Sequence, residues 1–213
     1  MNIHSYKHII WDWNGTLFDD IDLCIDIMNK MLIKYNLKQM TNEMYKNIFT
    51  VPVIDYYEKL GFNINDGTFS VVGKEFMDKY EERRDEADLY HNTKKVLGTI
   101  KNMGIQQSIL SGYFQDTLDE IIPHYGLENY FDKLIGLGDV YGGSKIDNGK
   151  NLIEELGLKN GEAILIGDTI HDFEVADEIG VECILISHGH QSVDRLRTCN
   201  KPIIHNLEEL IRN

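Results

Sequence analysis

The chain has 213 residues, 42% hydrophobic and 26% charged, which is ordinary globular usage and enough for one good core with a smaller second module. Its 35 acids against 21 Lys and Arg leave a formal net charge of −14, which disfavours binding to phosphate backbones, so no nucleic-acid partner is expected. The same charge repels small anions at long range, and an anion site here must therefore work through local donors or a bound cation.

The amino terminus lacks a charged-then-apolar signal layout, and no run approaches the length of a membrane span, so no membrane association is expected. Three cysteines, Cys24, Cys183 and Cys199, leave one unpaired under any disulfide scheme and show no metal-ligand spacing. A reducing cytoplasm fits that usage. The first informative stretch is "HIIWDWNGTLFDD", an apolar strand-like run broken by Asp12. A carboxylate at the end of a buried segment is costly unless a partner or a function uses it.

Residues 19–90 follow a different pattern. "IDLCIDIMNKMLIKY" is helix-periodic, with Ile21, Cys24, Ile25, Met28, Met31, Leu32 and Tyr35 on one face, and no convincing buried strand follows. The segment reads as an all-helical insert of roughly seventy residues, large enough for a lid though small for independent stability. Its charge-rich end, "DKYEERRDEADLY", is most simply a solvated helix face leading back to the core.

From residue 91 amphipathic helices alternate with short apolar strands: "QQSILS", "KLIGLG", "AILIG" and "CILIS" each follow a helical segment that stops at Gly104, Gly126, Gly157 or Gly180. Continuous apolar strands separated by helices imply a parallel sheet covered on both faces. The expected architecture is a doubly wound, Rossmann-like α/β core, residues 1–18 and 91–213, with a helical cap at 19–90.

Ligands of open α/β sheets bind beyond the carboxyl ends of the strands. The first strand ends in Asp12, the second in Ser111-Gly112, and the "AILIG" strand in Asp168, followed by Thr169 and Asp172. A hydroxyl with adjacent N–H groups can hold a phosphoryl-like oxyanion, and two or three carboxylates make a hard-cation site suited to Mg²⁺. The constellation reads as metal-assisted phosphoryl chemistry. Taken singly, Asp168 or Asp172 would cap the following helix, and Ser111-Gly112 would be an ordinary turn.

In this order the segments resemble the four motifs of the haloacid dehalogenase superfamily, specifically its phosphoglycolate phosphatase-like members with a helical cap after the first strand. "DWNGTLFDD" resembles the nucleophile motif, "SILSG" the phosphate-binding motif, "GGSKIDNGKNLIEELGL" the lysine motif and "GDTIHDFEVADEIG" the acidic metal motif. The resemblance implies Asp12 as nucleophile, taking the phosphoryl group as an aspartyl-phosphate. It implies Mg²⁺ held by Asp12, the backbone carbonyl of Asn14, Asp168 and Asp172, with Ser111 and Gly112 on the phosphoryl oxygens. Lys145 would neutralise the charge shared by Asp12 and the phosphoryl group, with Lys150 as the rival for that role. In the cap, Thr50, Val51, Tyr56 and Tyr57 match the place of a substrate-contacting loop, although aromatics at helical spacing are more often core.

Residue 14 departs from the pattern. Most phosphatases of this family carry an acid/base Asp there, whereas a carboxamide has no titratable proton near neutral pH. Acid–base catalysis is typically worth about a hundred- to ten-thousandfold, so a slow enzyme for alkyl phosphates is expected, with leaving groups that need no proton suffering least. His171 or a cap residue is an alternative base. The leading expectation is a Mg²⁺-dependent phosphatase of a small phosphorylated metabolite. The alternatives are a weakened phosphate-binding or regulatory protein and a carbon–halogen or carbon–phosphorus hydrolase. His188 and His190, in "SHGHQS", read as surface or second-layer residues rather than as a metal pair.

Overall fold

The computed structural model describes residues 3–64, 67–138 and 144–212. Strand β1 (His8–Trp11) opens the core, and β2 (Phe18–Asp19) leads into four helices, α1 (Ile21–Lys34), α2 (Asn42–Ile48), α3 (Val53–Lys59) and α4 (Thr68–Arg83). After β3 (Asp88–Leu89) come α5 (Thr93–Asn102), β4 (Gln106–Phe114), α6 (Gln115–His124), β5 (Lys133–Leu137), α7 (Lys145–Leu156) and β6 (Ala163–Gly167). The chain continues through α8 (Ile170–Glu178), β7 (Glu182–Ile186), α9 (Val193–Leu196) and β8 (Ile203–Ile204).

Six strands form one parallel sheet in the order β5-β4-β1-β6-β7-β8. The chain lays β4 and β5 on one side of β1, then crosses to build β6, β7 and β8 on the other. That reversal makes the carboxyl end of β1 the topological switch point, where a crevice opens between diverging connections.

Burial on both faces explains the unbroken apolar strands. Side chains alternate across the pleat, so Ile9, Trp11, Ile109, Ile164 and Ile166 pack on one face with Val96 and Leu97 of α5 and Leu118 and Ile121 of α6. Ile10, Leu110 and Leu165 pack on the other with Leu152 of α7, Val175 of α8 and Leu196 of α9. The doubly wound reading therefore describes the core.

The insert is helical except at its ends, where β2 and β3 pair antiparallel, Phe18 opposite Leu89 and Asp19 opposite Asp88. Two-residue strands carry no periodicity to read, which is why only helices are legible there. Helix α1 buries Leu23 and Ile27 besides most of the expected stripe, while Ile25 and Tyr35 are half-buried. Strand β4 also runs on past Ser111 to Phe114, with its pairing to β5 interrupted between Leu110 and Phe114. Among the described residues no helix is long and apolar enough to cross a membrane.

Leu165 lies at the centre of the second face with no exposure. Its replacement by Ala is expected to cost about 2–5 kcal/mol, read as a lower urea midpoint with an unchanged denaturant slope.

Candidate active site

The register of the central strands brings the site together. Trp11 is opposite both Ile109 of β4 and Ile166 of β6, so Asp12, Ser111 and Asp168, one or two residues further on, emerge at the same edge. From β6 the chain turns into α8, capped by a reciprocal box in which the Thr169 hydroxyl accepts from the Asp172 N–H and Asp172 reaches back to the Thr169 N–H. Asp172 thus caps a helix and faces the site at once: Oδ2 takes the Asp168 and Thr169 N–H groups, and Oδ1 takes Lys145.

Asp12 is 7% exposed. Lys145 Nζ lies 2.5 Å from Asp12 Oδ1 and 2.6 Å from Asp172 Oδ1, bridging the two acids. The Thr16 hydroxyl is 3.1 Å from both Asp12 Oδ2 and Asp168 Oδ1. Burial drives the Asp12 carboxyl up to about 6 against the opposing pull of Lys145. Asp168 is pushed further, to about 8, by burial and by Asp12 and Asp172, despite His190. On Asp172 burial is outweighed by Lys145, which holds it below the usual carboxylate range. Lys145 stays protonated, since its two acids more than offset its own burial.

Lys145 is the first residue of α7, behind the N-cap Ser144, rather than part of a loop; Gly142 and Gly143 of "GGSK" lie outside the described residues. Lys150 points away, 3.5 Å from Glu178 on the surface. His171 pairs with Glu174 at 3.4 Å. The Ser111 hydroxyl is buried and accepts the Tyr113 N–H, while Gly112 is exposed with open space on its Cβ side. Of the four cap candidates, Thr50 and Val51 lie in the α2–α3 connection. Tyr56 and Tyr57 are 3% and 4% exposed within the cap, Tyr56 against Tyr45 and Phe49, Tyr57 against Phe62 and Phe69.

A second buried polar cluster adjoins the first and was not legible beforehand. His190 is internal: its N–H donates to Asp168 Oδ2 at 2.5 Å, its Nδ1 meets the Tyr45 hydroxyl at 2.8 Å, and its Nε2 is 3.2 Å from Asp20 Oδ1. Asp20 Oδ2 accepts from Asn14 Nδ2 at 2.9 Å and from the Tyr80 hydroxyl at 2.7 Å. Burial alone would raise Asp20, but His190, Tyr80 and Asn14 together hold it below the ordinary carboxylate range. Burial opposes the charge on His190, yet Asp20 and Asp168 raise it to about 9. Tyr80 comes from the charge-rich stretch expected to be a solvated face, and its ring is buried. His188 is half-buried, stacked on Tyr90 at 3.6 Å between ring centroids, and burial lowers it to about 4.

Backbone closeness makes this cluster possible. At Gly15, with φ +74°, a Cβ would fall 2.5 Å from Asp168 Oδ2, and at Gly189 it would overlap the same carboxylate. Loops from β1 and β7 therefore bring bare backbone against Asp168 at these two glycines, beside the Thr16 hydroxyl.

The match to known proteins follows the same residues. The family model for haloacid dehalogenase-like hydrolases matches residues 9–186, which span the first strand, the insert and all three site-bearing strand ends. The chain belongs to this family. The hydrolase is 25% identical over 197 residues to a phosphoglycolate phosphatase of Aquifex aeolicus, covering 85% of each chain. It is also 25% identical over 175 residues to the pyrophosphatase PpaX of Bacillus velezensis, covering 82% of this chain and 80% of that one. A haloacid dehalogenase-like hydrolase structure from Streptococcus pneumoniae superposes with a TM-score of 0.84 at 18% identity, covering 98% of both chains, which shows the shared fold.

The hydrolase's acids fit a hard divalent cation. One oxygen from each of Asp12, Asp168 and Asp172 lies within 4.8 Å of the others, and burial and mutual repulsion raise two of the three. Lys145 bridges Asp12 and Asp172, and among the described residues no lysine forms an ion pair with Asp168. An all-oxygen donor set under that strain suits Mg²⁺.

Two outcomes follow. Gly189→Ala should destabilise the fold by about 1–3 kcal/mol, seen as a lower melting temperature, because a rigid backbone and Asp168 must both move. His190 is raised when folded, so its contribution is fully present below about pH 6.5 and is lost as pH rises through about 9. The stability difference between the native protein and His190→Gln, measured by urea titration across pH, should therefore narrow over that window. A constant difference would contradict the ion pair.

Proposed function

We propose that the hydrolase is a Mg²⁺-dependent phosphatase of a small phosphorylated metabolite, working through a phosphoryl group carried on Asp12. The observation that carries this reading is Asp12 itself: a buried carboxylate at the switch point, oriented by the Thr16 hydroxyl and the Lys145 ammonium beside two further acids. The names of the relatives, a phosphoglycolate phosphatase and a pyrophosphatase, support phosphoryl substrates.

In this reading an Asp12 oxygen attacks phosphorus and the bond to the leaving oxygen breaks, after which water displaces phosphate from Asp12 and regenerates the carboxylate. Lys145 offsets negative charge shared by Asp12 and the phosphoryl group. Ser111 and the Gly112 N–H offer donors to its outer oxygens. Asp12, the Asn14 carbonyl, Asp168 and Asp172 would hold Mg²⁺, which supplies Lewis-acid stabilisation of phosphoryl charge when bound. The cap, tied to the β7–α9 loop by Ser192 N–H to Lys46 O at 3.0 Å and Gln191 Nε2 to Phe49 O at 3.0 Å, would exclude water from the crevice.

The test is phosphate release from acetyl phosphate with Mg²⁺ or with excess EDTA. Release is expected only with Mg²⁺, and Asp12→Asn should lower kcat by about a thousandfold or more. Retained phosphate binding with no release by the native protein would favour the phosphate-binding or regulatory alternative.

A further inference from the structure

We infer that Asp20 and Tyr80 lock Asn14 as a hydrogen-bond acceptor facing the reaction, and that the site is thereby specialised for phosphoryl compounds whose leaving group departs as a stable anion. This rests on the phosphatase reading above and adds its substrate class. The Nδ2 end of Asn14 is turned toward Asp20 Oδ2 at 2.9 Å and the Tyr80 hydroxyl at 2.8 Å. The opposite rotamer would set the amide oxygen against a carboxylate oxygen that already takes the Tyr80 proton, so the orientation is chemically enforced. Among the described residues no group donates to Asn14 Oδ1, which is left as the free end of the side chain.

The neighbours do not restore the missing acid. Asp20 is 1% exposed, its Oδ2 takes Asn14 and Tyr80, and its Oδ1 makes no hydrogen bond among the described residues and lies 3.2 Å from His190 Nε2, its ion-pair partner. Tyr80 spends its proton on Asp20 and is equally enclosed. His190 has one ring nitrogen on Asp20 and the other on Tyr45. Asp20 and Tyr80 are positioning residues, acting through the carboxamide.

The two steps then differ in what they need. When Asp12 attacks, the bond from phosphorus to the leaving oxygen breaks and its electron pair departs with that oxygen, unprotonated by residue 14. Acyl phosphates, phosphoanhydrides and aryl phosphates tolerate this; an alkyl phosphate must expel a strongly basic alkoxide. When water attacks, its O–H can point at Asn14 Oδ1, the phosphorus bond to Asp12 breaks, and the proton leaves with phosphate or to solvent. The leaving group of this second step is the Asp12 carboxylate, which needs no acid. The lock therefore serves dephosphorylation and restricts the first step.

The experiment compares kcat/KM for acetyl phosphate, 4-nitrophenyl phosphate and glycerol 3-phosphate with Mg²⁺, in the native protein, in Asp20→Ala, and in the exchange Asn14→Asp with Asp20→Asn. The exchange avoids placing two carboxylates 2.9 Å apart. The native protein should prefer acetyl phosphate over glycerol phosphate by about a hundredfold or more, and the exchange should shrink that ratio at least about tenfold by speeding the alkyl ester. Asp20→Ala alone should lower kcat for acetyl phosphate about tenfold with little change in KM, since the acceptor that aims the carboxamide is lost. Melting temperatures confirm that each variant is folded. A native ratio near unity, or a ratio untouched by the exchange in folded protein, overturns the inference while leaving the phosphatase reading intact. An unchanged kcat in folded Asp20→Ala overturns the positioning role. No phosphate from any compound overturns both readings.

Discussion

Three carboxylates buried beside one lysine, at the point where a parallel sheet reverses direction, are the constraint on which the rest of this molecule depends. Desolvating an ionised carboxylate costs several kcal/mol unless it is paired. Lys145 meets that need for Asp12 and Asp172, while Asp168 relies on backbone and hydroxyl donors from Thr16 and His190. Much of the surrounding architecture exists to deliver those donors: the capping box of α8, the placement of Lys145 at the start of α7, and loops whose glycines permit backbone to touch Asp168.

A second layer joins this cluster to the cap. Asp20 stands at the start of α1 and Tyr80 lies in α4, so the cap supplies the groups that orient Asn14, a residue of the core's own motif loop. His190 closes the circuit, touching Asp168 through its backbone and Asp20 and Tyr45 through its ring. Cap and core are thus coupled by buried polar contacts, which are costly to leave half satisfied. Any change at residue 14 has to be considered together with residue 20.

The fold and the first cluster were legible because their signals are local or repeat regularly. Buried parallel strands read as apolar runs, helices as periodic stripes ending at glycine, and Asp12, Ser111 and Asp168 as polar residues at strand ends. Lys145, favoured over Lys150 for its place just after the strand-end loop, has its ammonium beside Asp12, whereas that of Lys150 lies near Glu178. The second cluster left no such trace. Asp20 looks like a helix-start acid, Tyr80 is embedded among charges, and His190 sits in a polar loop; they meet only because the cap folds back. Tyr56 and Tyr57 illustrate why ring periodicity alone is ambiguous: the two rings pack edge-on against each other, and Tyr57 against Phe69, inside the cap.

The account turns on Asp12 carrying the phosphoryl group. Its most direct test is to acid-quench the protein after brief exposure to acetyl phosphate labelled on phosphorus, with Mg²⁺ present, and to locate the label by peptide mapping. The account predicts an acid-stable, base-labile label confined to the peptide containing Asp12. Release of labelled phosphate with no labelled peptide, or label on a different residue, would contradict it.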